Sequence, residues 1–121
     1  MKGILIDTSS FIEAFLQRVS LPQLLLLGDE PIKPYTASTV VGELKKLSRI
    51  KSERGRAALF SLSLIKSGKV KVLKAVGPTD DVLIALALQH GFYILSQDSK
   101  LRRRARDIGL KAKSLKDGKL V

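Results

Sequence analysis

Short apolar runs that stop abruptly at polar residues, each followed by a helical pattern, constrain this chain more than any other feature. Gly3-Ile4-Leu5-Ile6 is continuous and is halted by Asp7, the pattern of a strand buried on both faces. Thr8-Ser9-Ser10 reads as a loop and cap cluster, and residues 11–17 as a helix. Residues 21–27 predict a second helix with Pro22 in its first turn, residues 28–34 a loop and residues 35–37 a short strand. Ser38 or Thr39 is expected to cap a helix over 41–49 whose apolar face holds Val40, Val41, Leu44 and Leu47. Arg54-Gly55-Arg56 reads as a break, residues 57–66 as helix ended by Gly68, and residues 70–73 as a strand. A helix over 80–89 closes at His90-Gly91, and a strand over 92–95 follows. Residues 99–108 form a very basic helix closed by Gly109, and residues 110–112 a last strand.

Strands alternating with helices imply βαβ units and a parallel sheet with helices on both faces, an α/β fold. The 121 residues suit one domain, residues 1–121, large enough for a core without staples. The absence of Cys excludes a disulfide scaffold, a thiol enzyme and a Cys-ligated zinc site. A single His excludes nucleases that work with a His pair. Asp7 breaks the first apolar run too early for a signal peptide, and no run reaches the length of a membrane span. A cytoplasmic chain with no membrane partner is therefore expected. The formal charge is +11, with a net of −2 over residues 1–43 and +13 over residues 44–121. That surplus points to a polyanionic partner contacted by the later two thirds.

The acids are few enough to place singly. Asp7 ends the first strand, Asp98 follows the strand at 92–95, Asp80 and Asp81 open a helix, and Glu43 lies early in another. In a parallel sheet, strand ends and the helix starts that follow them share one edge, where such folds bind ligands. Carboxylates dispersed in sequence then converge. Their repulsion is best relieved by a hard divalent cation, Mg²⁺ or Mn²⁺, which prefers carboxylate and water oxygens. One or two such ions would serve phosphodiester cleavage and need neither His nor Cys. Taken alone, Asp98 and Asp80 are better explained as helix N-caps, and only the joint pattern points to a metal.

At these residues the sequence resembles the PIN-domain nucleases: Ile4-Leu5-Ile6-Asp7-Thr8-Ser9, then Val41-Gly42-Glu43-Leu44, then Asp80-Asp81-Val82-Leu83-Ile84-Ala85, then Ile94-Leu95-Ser96-Gln97-Asp98. The resemblance implies a Rossmann-like α/β/α sandwich and Mg²⁺- or Mn²⁺-dependent cleavage of single-stranded RNA. It makes Asp7, Glu43, Asp81 and Asp98 the catalytic, metal-binding quartet, with Asp80 competing with Asp81 as a metal ligand. Asp81 is preferred because Asp81-Val82-Leu83-Ile84-Ala85 matches the family's helix. Thr8 and Ser96 would orient the site through their hydroxyls. Two branches compete: ribosome-biogenesis nucleases acting on pre-ribosomal RNA, which the second half resembles more, and VapC-type toxins paired with an antitoxin. A homodimer, a ribosome-assembly partner or an antitoxin is compatible with either, and so is a catalytically silent RNA-binding scaffold.

Lys100, Arg102, Arg103, Arg104 and Arg106 crowd the helix after Asp98, with Leu101, Ala105 and Ile108 expected to face the core. Arg suits bidentate phosphate contact. Lys100, Arg102, Arg103 and Arg106, with Lys45, Lys46 and Arg49 after Glu43, are the expected RNA-binding residues. Aromatic residues are scarce and core-like in placement, so contact through the backbone phosphates is expected over base stacking. A phospho-acceptor receiver domain fits poorly, because no mid-chain strand ends in Asp.

Overall fold

The computed structural model describes residues 2–26 and 30–121. Strand β1 (Lys2–Ile6) lies at the centre of a five-stranded sheet of order β3-β2-β1-β4-β5, every pairing parallel. Ile4, Leu5 and Ile6 have no exposed surface. A strand buried on both faces needs the continuous apolar run that the sequence supplies. Helices α1 (Thr8–Leu16) and α2 (Leu21–Leu26) lead to β2 (Ile32–Ala37). Helices α3 (Ser38–Ser48) and α4 (Glu53–Lys66) lead to β3 (Lys71–Leu73). The chain then crosses β2 and β1 through α5 (Thr79–His90) to β4 (Tyr93–Leu95), and returns through α6 (Ser99–Asp107) to β5 (Ala112–Lys113). The architecture is the expected α/β one, a parallel sheet flanked by helices.

The crossover reverses the winding direction between β1 and β4, which makes the carboxyl ends of these two strands the switch point of the sheet. Helix α5 can cross there because Val82, Leu83, Ile84, Leu86 and Ala87 are all buried. It ends at Gly91 in the left-handed region, as the sequence predicts.

Several local expectations are corrected. Thr8-Ser9-Ser10 is the first turn of α1, not a loop, because Asp7 is the N-cap and accepts from the backbone N–H of Thr8. Ala37, not Ser38 or Thr39, precedes α3, and Ser38 Oγ is spent on the backbone of Ala75, accepting at 3.0 Å and donating at 3.0 Å. Arg54-Gly55-Arg56 lies inside α4. The chain turns at residues 50–52, and Ser52 caps α4 through the N–H of Gly55 at 3.1 Å. Gly55 is there for packing, since a Cβ on it would lie 1.8 Å from the carbonyl oxygen of Ile50. Strand β2 starts at Ile32, inside the expected loop, of which Gly28 and Asp29 lie outside the described residues, as does Leu27. Ile108 is 48% exposed rather than core. The last strand is β5, later than 110–112, and a hairpin of β6 (Leu115–Lys116) and β7 (Lys119–Leu120) follows that the sequence did not announce.

Candidate active site

Asp7 sits at the switch point and is 7% exposed. The backbone N–H of Thr8 donates to its Oδ1 at 2.7 Å. The hydroxyls of Ser96 and Ser9 donate to its Oδ2 at 2.8 and 3.3 Å. Burial raises the pKa of Asp7 above the usual carboxylate range; the Ser96 and Thr8 hydrogen bonds oppose that rise, and the charges of Asp80 and Glu43 add to it. Among the described residues no cation forms an ion pair with it. Arginine and lysine are abundant, yet this carboxylate is held by neutral donors.

Glu43 reaches the same edge from the second turn of α3. Thr8 Oγ1 donates to its Oε1, and Thr79 Oγ1 donates to its Oε2 at 2.7 Å. One carboxylate thus ties together the starts of α1 and α5. Asp98 is the N-cap of α6, its Oδ1 accepting from the N–H groups of Lys100 and Leu101 at 2.9 and 3.4 Å. Its own N–H donates to Ser96 Oγ at 3.0 Å, so Ser96 links Asp7 to Asp98.

The two adjacent acids of α5 separate. Asp81 points to Arg104 of α6, 2.6 Å away, in an exposed ion pair. The pKa of Asp80 is raised by partial burial first and then by Asp98, Glu43 and Asp81, with Arg104 opposing. Asp80 therefore shares a field with Glu43, Asp98 and Asp7, whereas Asp81 is engaged on the arginine helix. The family pattern favours Asp81 for the site; in the structure Asp81 is paired with Arg104, while Asp80 is the one whose charge is felt by Asp7.

Among the described residues no three acidic or histidine side chains stand close enough together to hold a metal ion as they are placed. The donor set nevertheless suits Mg²⁺ or Mn²⁺. It consists of hard oxygens, and Mg²⁺ keeps most of its waters and needs only one or two carboxylates besides the substrate's phosphate. Asp7 is fixed in place, while Glu43, Asp80 and Asp98 are exposed at the same edge.

Helix α6 starts at this edge and buries only Leu101 and Ala105. Lys100 and Arg103 are exposed and carry no ion pair among the described residues. Arg102 Nη1 donates to the carbonyl of Ser96 at 2.8 Å, and Arg106 Nη2 to that of Ala112 at 2.8 Å. Arg102 holds the loop with its charge near the site, and Arg106, about one turn further along α6, holds β5. Lys45 and Lys46 are exposed within one turn of Glu43. Arg49 lies about 9 Å further along the axis of α3, six residues at about 1.5 Å each.

Compared with solved structures, the chain superimposes on the PIN domain endonuclease Utp24 with a TM-score of 0.81 at 22% identity, over 98% of this chain and 88% of that one. A domain of a functionally unknown protein from Methanocaldococcus jannaschii gives 0.66 at 20% identity, over 96% and 92% of the two chains. VapBC-1 from nontypeable Haemophilus influenzae gives 0.63 at 14% identity, over 93% and 97%. The chain has the PIN-domain fold. No family model and no curated protein matches it.

Within the PIN fold, the structure adds residues that the sequence left without a role. Thr79 fixes Glu43; its only signal was its place before Asp80-Asp81. Ser9 Oγ accepts the N–H of Gln97 at 3.0 Å as well as donating to Asp7, closing the gap between α1 and the Asp98 loop. Arg104, one of five basic residues in the α6 cluster, is the one that meets an acid.

Proposed function

We propose that the chain is a Mg²⁺- or Mn²⁺-dependent endoribonuclease that hydrolyses phosphodiester bonds of single-stranded RNA. The observation that carries this is Asp7, a carboxylate buried at the switch point beside other carboxylates and paired with no cation among the described residues. Asp7, Glu43, Asp80 and Asp98 would hold the metal, with Asp81 joining them if it leaves Arg104. The bound ion would supply an activated water and neutralise charge developing on the phosphate. Thr8, Ser9, Ser96 and Thr79 orient the carboxylates. Lys100, Arg103, Arg102, Arg106, Lys45 and Lys46 form the surround that attracts the RNA backbone. The description of a solved neighbour as an endonuclease supports the reading. The motifs of the second half favour processing of ribosomal RNA in the cytoplasm over a toxin's role. Among the described residues, no helix is long and apolar enough to cross a membrane.

The test compares wild type with Asp7→Asn on labelled single-stranded RNA, with and without Mn²⁺. Mn²⁺-dependent cleavage by wild type alone is expected. Equal cleavage by both would refute the metal site. Tight, salt-sensitive binding without cleavage by either would make the chain a silent scaffold.

A further inference from the structure

The hairpin after β5 is too short to hold itself in place, yet two glutamine side chains and a turn fix it. Asp117 and Gly118 occupy the turn with φ of 51° and 73°, the paired left-handed conformation of a two-residue hairpin that Asp-Gly favours. Gln97 then treats Leu115 as a strand would. Its Nε2 donates to the carbonyl of Leu115 at 2.8 Å, and its Oε1 accepts the N–H of Leu115 at 2.7 Å. Gln17 Oε1 accepts the N–H of Gly118 at 2.8 Å. Leu115 is 3% exposed and Leu120 packs on the core beside it.

The other face of the hairpin is the informative one. Lys116 and Lys119 are directly paired across the two strands, and both are exposed. Like charges directly opposed on a ribbon destabilise it, and among the described residues neither lysine has an ion-pair partner. The residue that pins them, Gln97, lies between Ser96 and Asp98 in the candidate site. A repelling pair is thus carried on a ribbon held at one end by the Asp98 loop and at the other by Gln17, the C-cap of α1.

We infer that this hairpin is a grip for the phosphate backbone of single-stranded RNA, with Lys116 and Lys119 as contacts and Gln97, the neighbour of Asp98 in the chain, as the positioning residue that ties the ribbon to the Asp98 loop. The inference rests on the nuclease reading and names a substrate contact outside α3 and α6. An anionic backbone across the two lysines removes their repulsion, and lysine on an open ribbon reads charge rather than base.

The test is binding of a fluorescent 12-nucleotide oligouridylate to the whole chain in EDTA, titrated at several salt concentrations. Lys116→Gln/Lys119→Gln is expected to lower affinity about tenfold near 0.1 M salt and to flatten the slope of log K against log salt by about 1.4, two contacts at about 0.7 each. Gln97→Ala keeps both charges and is expected to lower affinity by a smaller factor. Lys66→Gln/Lys69→Gln, the same charge loss at the opposite sheet edge, is expected to leave the slope unchanged. An unaltered slope in the hairpin variant, with wild type binding and Lys100→Gln/Arg103→Gln weakened, overturns the grip and leaves the nuclease reading intact. Equal losses from the hairpin and Lys66/Lys69 variants overturn it too, by showing an effect of net charge alone. No binding by wild type at any salt overturns the grip and the RNA reading together.

Discussion

The two ends of the parallel sheet are built on opposite principles. Where the strands begin, charge and aromatic surface are matched within the chain. Phe92 lies across Gly3, where a Cβ would come within 2.5 Å of its ring, and stacks with Tyr35 and His90 at centroid distances of 4.5 and 5.0 Å. Lys2 and Lys111 stand 5.4 and 5.6 Å from the Tyr93 ring, and Lys2 Nζ donates to its hydroxyl at 3.1 Å. Both lysines have the ring, and Lys2 the hydroxyl as well. Where β1 and β4 end, Asp7, Glu43, Asp80 and Asp98 raise one another's electrostatic cost and are met by hydroxyls and amides. The same strands in the same register serve both ends, so the contrast is not imposed by the fold. That a buried carboxylate is met only by neutral donors, in a chain of formal charge +11, is the feature on which the proposed metal site rests.

The sharpest way to break this contrast is to remove charge at one end and packing at the other. Asp7→Asn should lower Mn²⁺-dependent cleavage by at least about 10³-fold, equivalent to about 4 kcal/mol of transition-state stabilisation. It should leave urea stability within about 1 kcal/mol of wild type, because Asn keeps an acceptor for the Thr8 N–H and Ser9 and Ser96 can turn their hydroxyls. Phe92→Ala should do the reverse. Loss of a half-buried ring and its two stacking partners should cost about 2–3 kcal/mol in urea unfolding, with cleavage per folded molecule unchanged. Comparable destabilisation by the two variants would mean that Asp7 is a structural residue and that the ends do not differ in kind.

A smaller effect follows from the raised pKa values of Asp7 and Asp80. In both, the folded state holds a proton more tightly than the unfolded chain does. As pH rises from the ordinary carboxylate range through the raised folded values, the unfolded state binds fewer protons than the folded one, and stability falls. The contribution is therefore present below that window and lost above it. Wild type without metal should lose Tm relative to Asp7→Asn as pH rises from the ordinary carboxylate range to neutrality. Mn²⁺ should restore the loss at pH 7 in wild type only. A Tm difference between the two proteins that stays constant with pH and ignores Mn²⁺ would remove the electrostatic account of this edge.

Much of this was legible in the sequence, and the gaps have physical causes. The run at residues 3–6, the basic helix after Asp98 and the Gly91 stop are dictated by local periodicity and by backbone conformation, so they were read within a residue or two. The convergence of Asp7, Glu43 and Asp98 followed from strand-then-helix order alone. The choice between Asp80 and Asp81 did not, because neighbouring residues on a helix differ by about 100° and only tertiary packing fixes which one faces Arg104. Gly55 was misread as a break because glycine marks both turns and close approaches. The charge of Arg102 and Arg106 was legible, but their hydrogen bonds to the carbonyls of Ser96 and Ala112 were not, because they depend on a loop and a strand that follow from the tertiary fold. Strands of two residues carry no period, so the hairpin left only its Asp-Gly turn as a trace.

The smallest predicted effect concerns a residue between the two regimes. Thr39 Oγ1, in the first turn of α3 and one turn before Glu43, is buried without a hydrogen-bond partner. A hydroxyl removed from water and left unpaired lowers stability, and replacing it with a methyl of the same shape removes that loss. Thr39→Val should therefore raise urea stability by about 0.5–1 kcal/mol. If Thr39 is only an imperfectly packed residue, cleavage should stay at the wild-type level. If its hydroxyl instead turns toward Glu43 when Glu43 leaves Thr8 and Thr79 for a metal, Thr39→Val should still gain stability but lose Mn²⁺ affinity in the cleavage assay. That pairing of gain and loss would extend the unmatched edge by one residue, whereas a gain without loss would fix its boundary at Glu43.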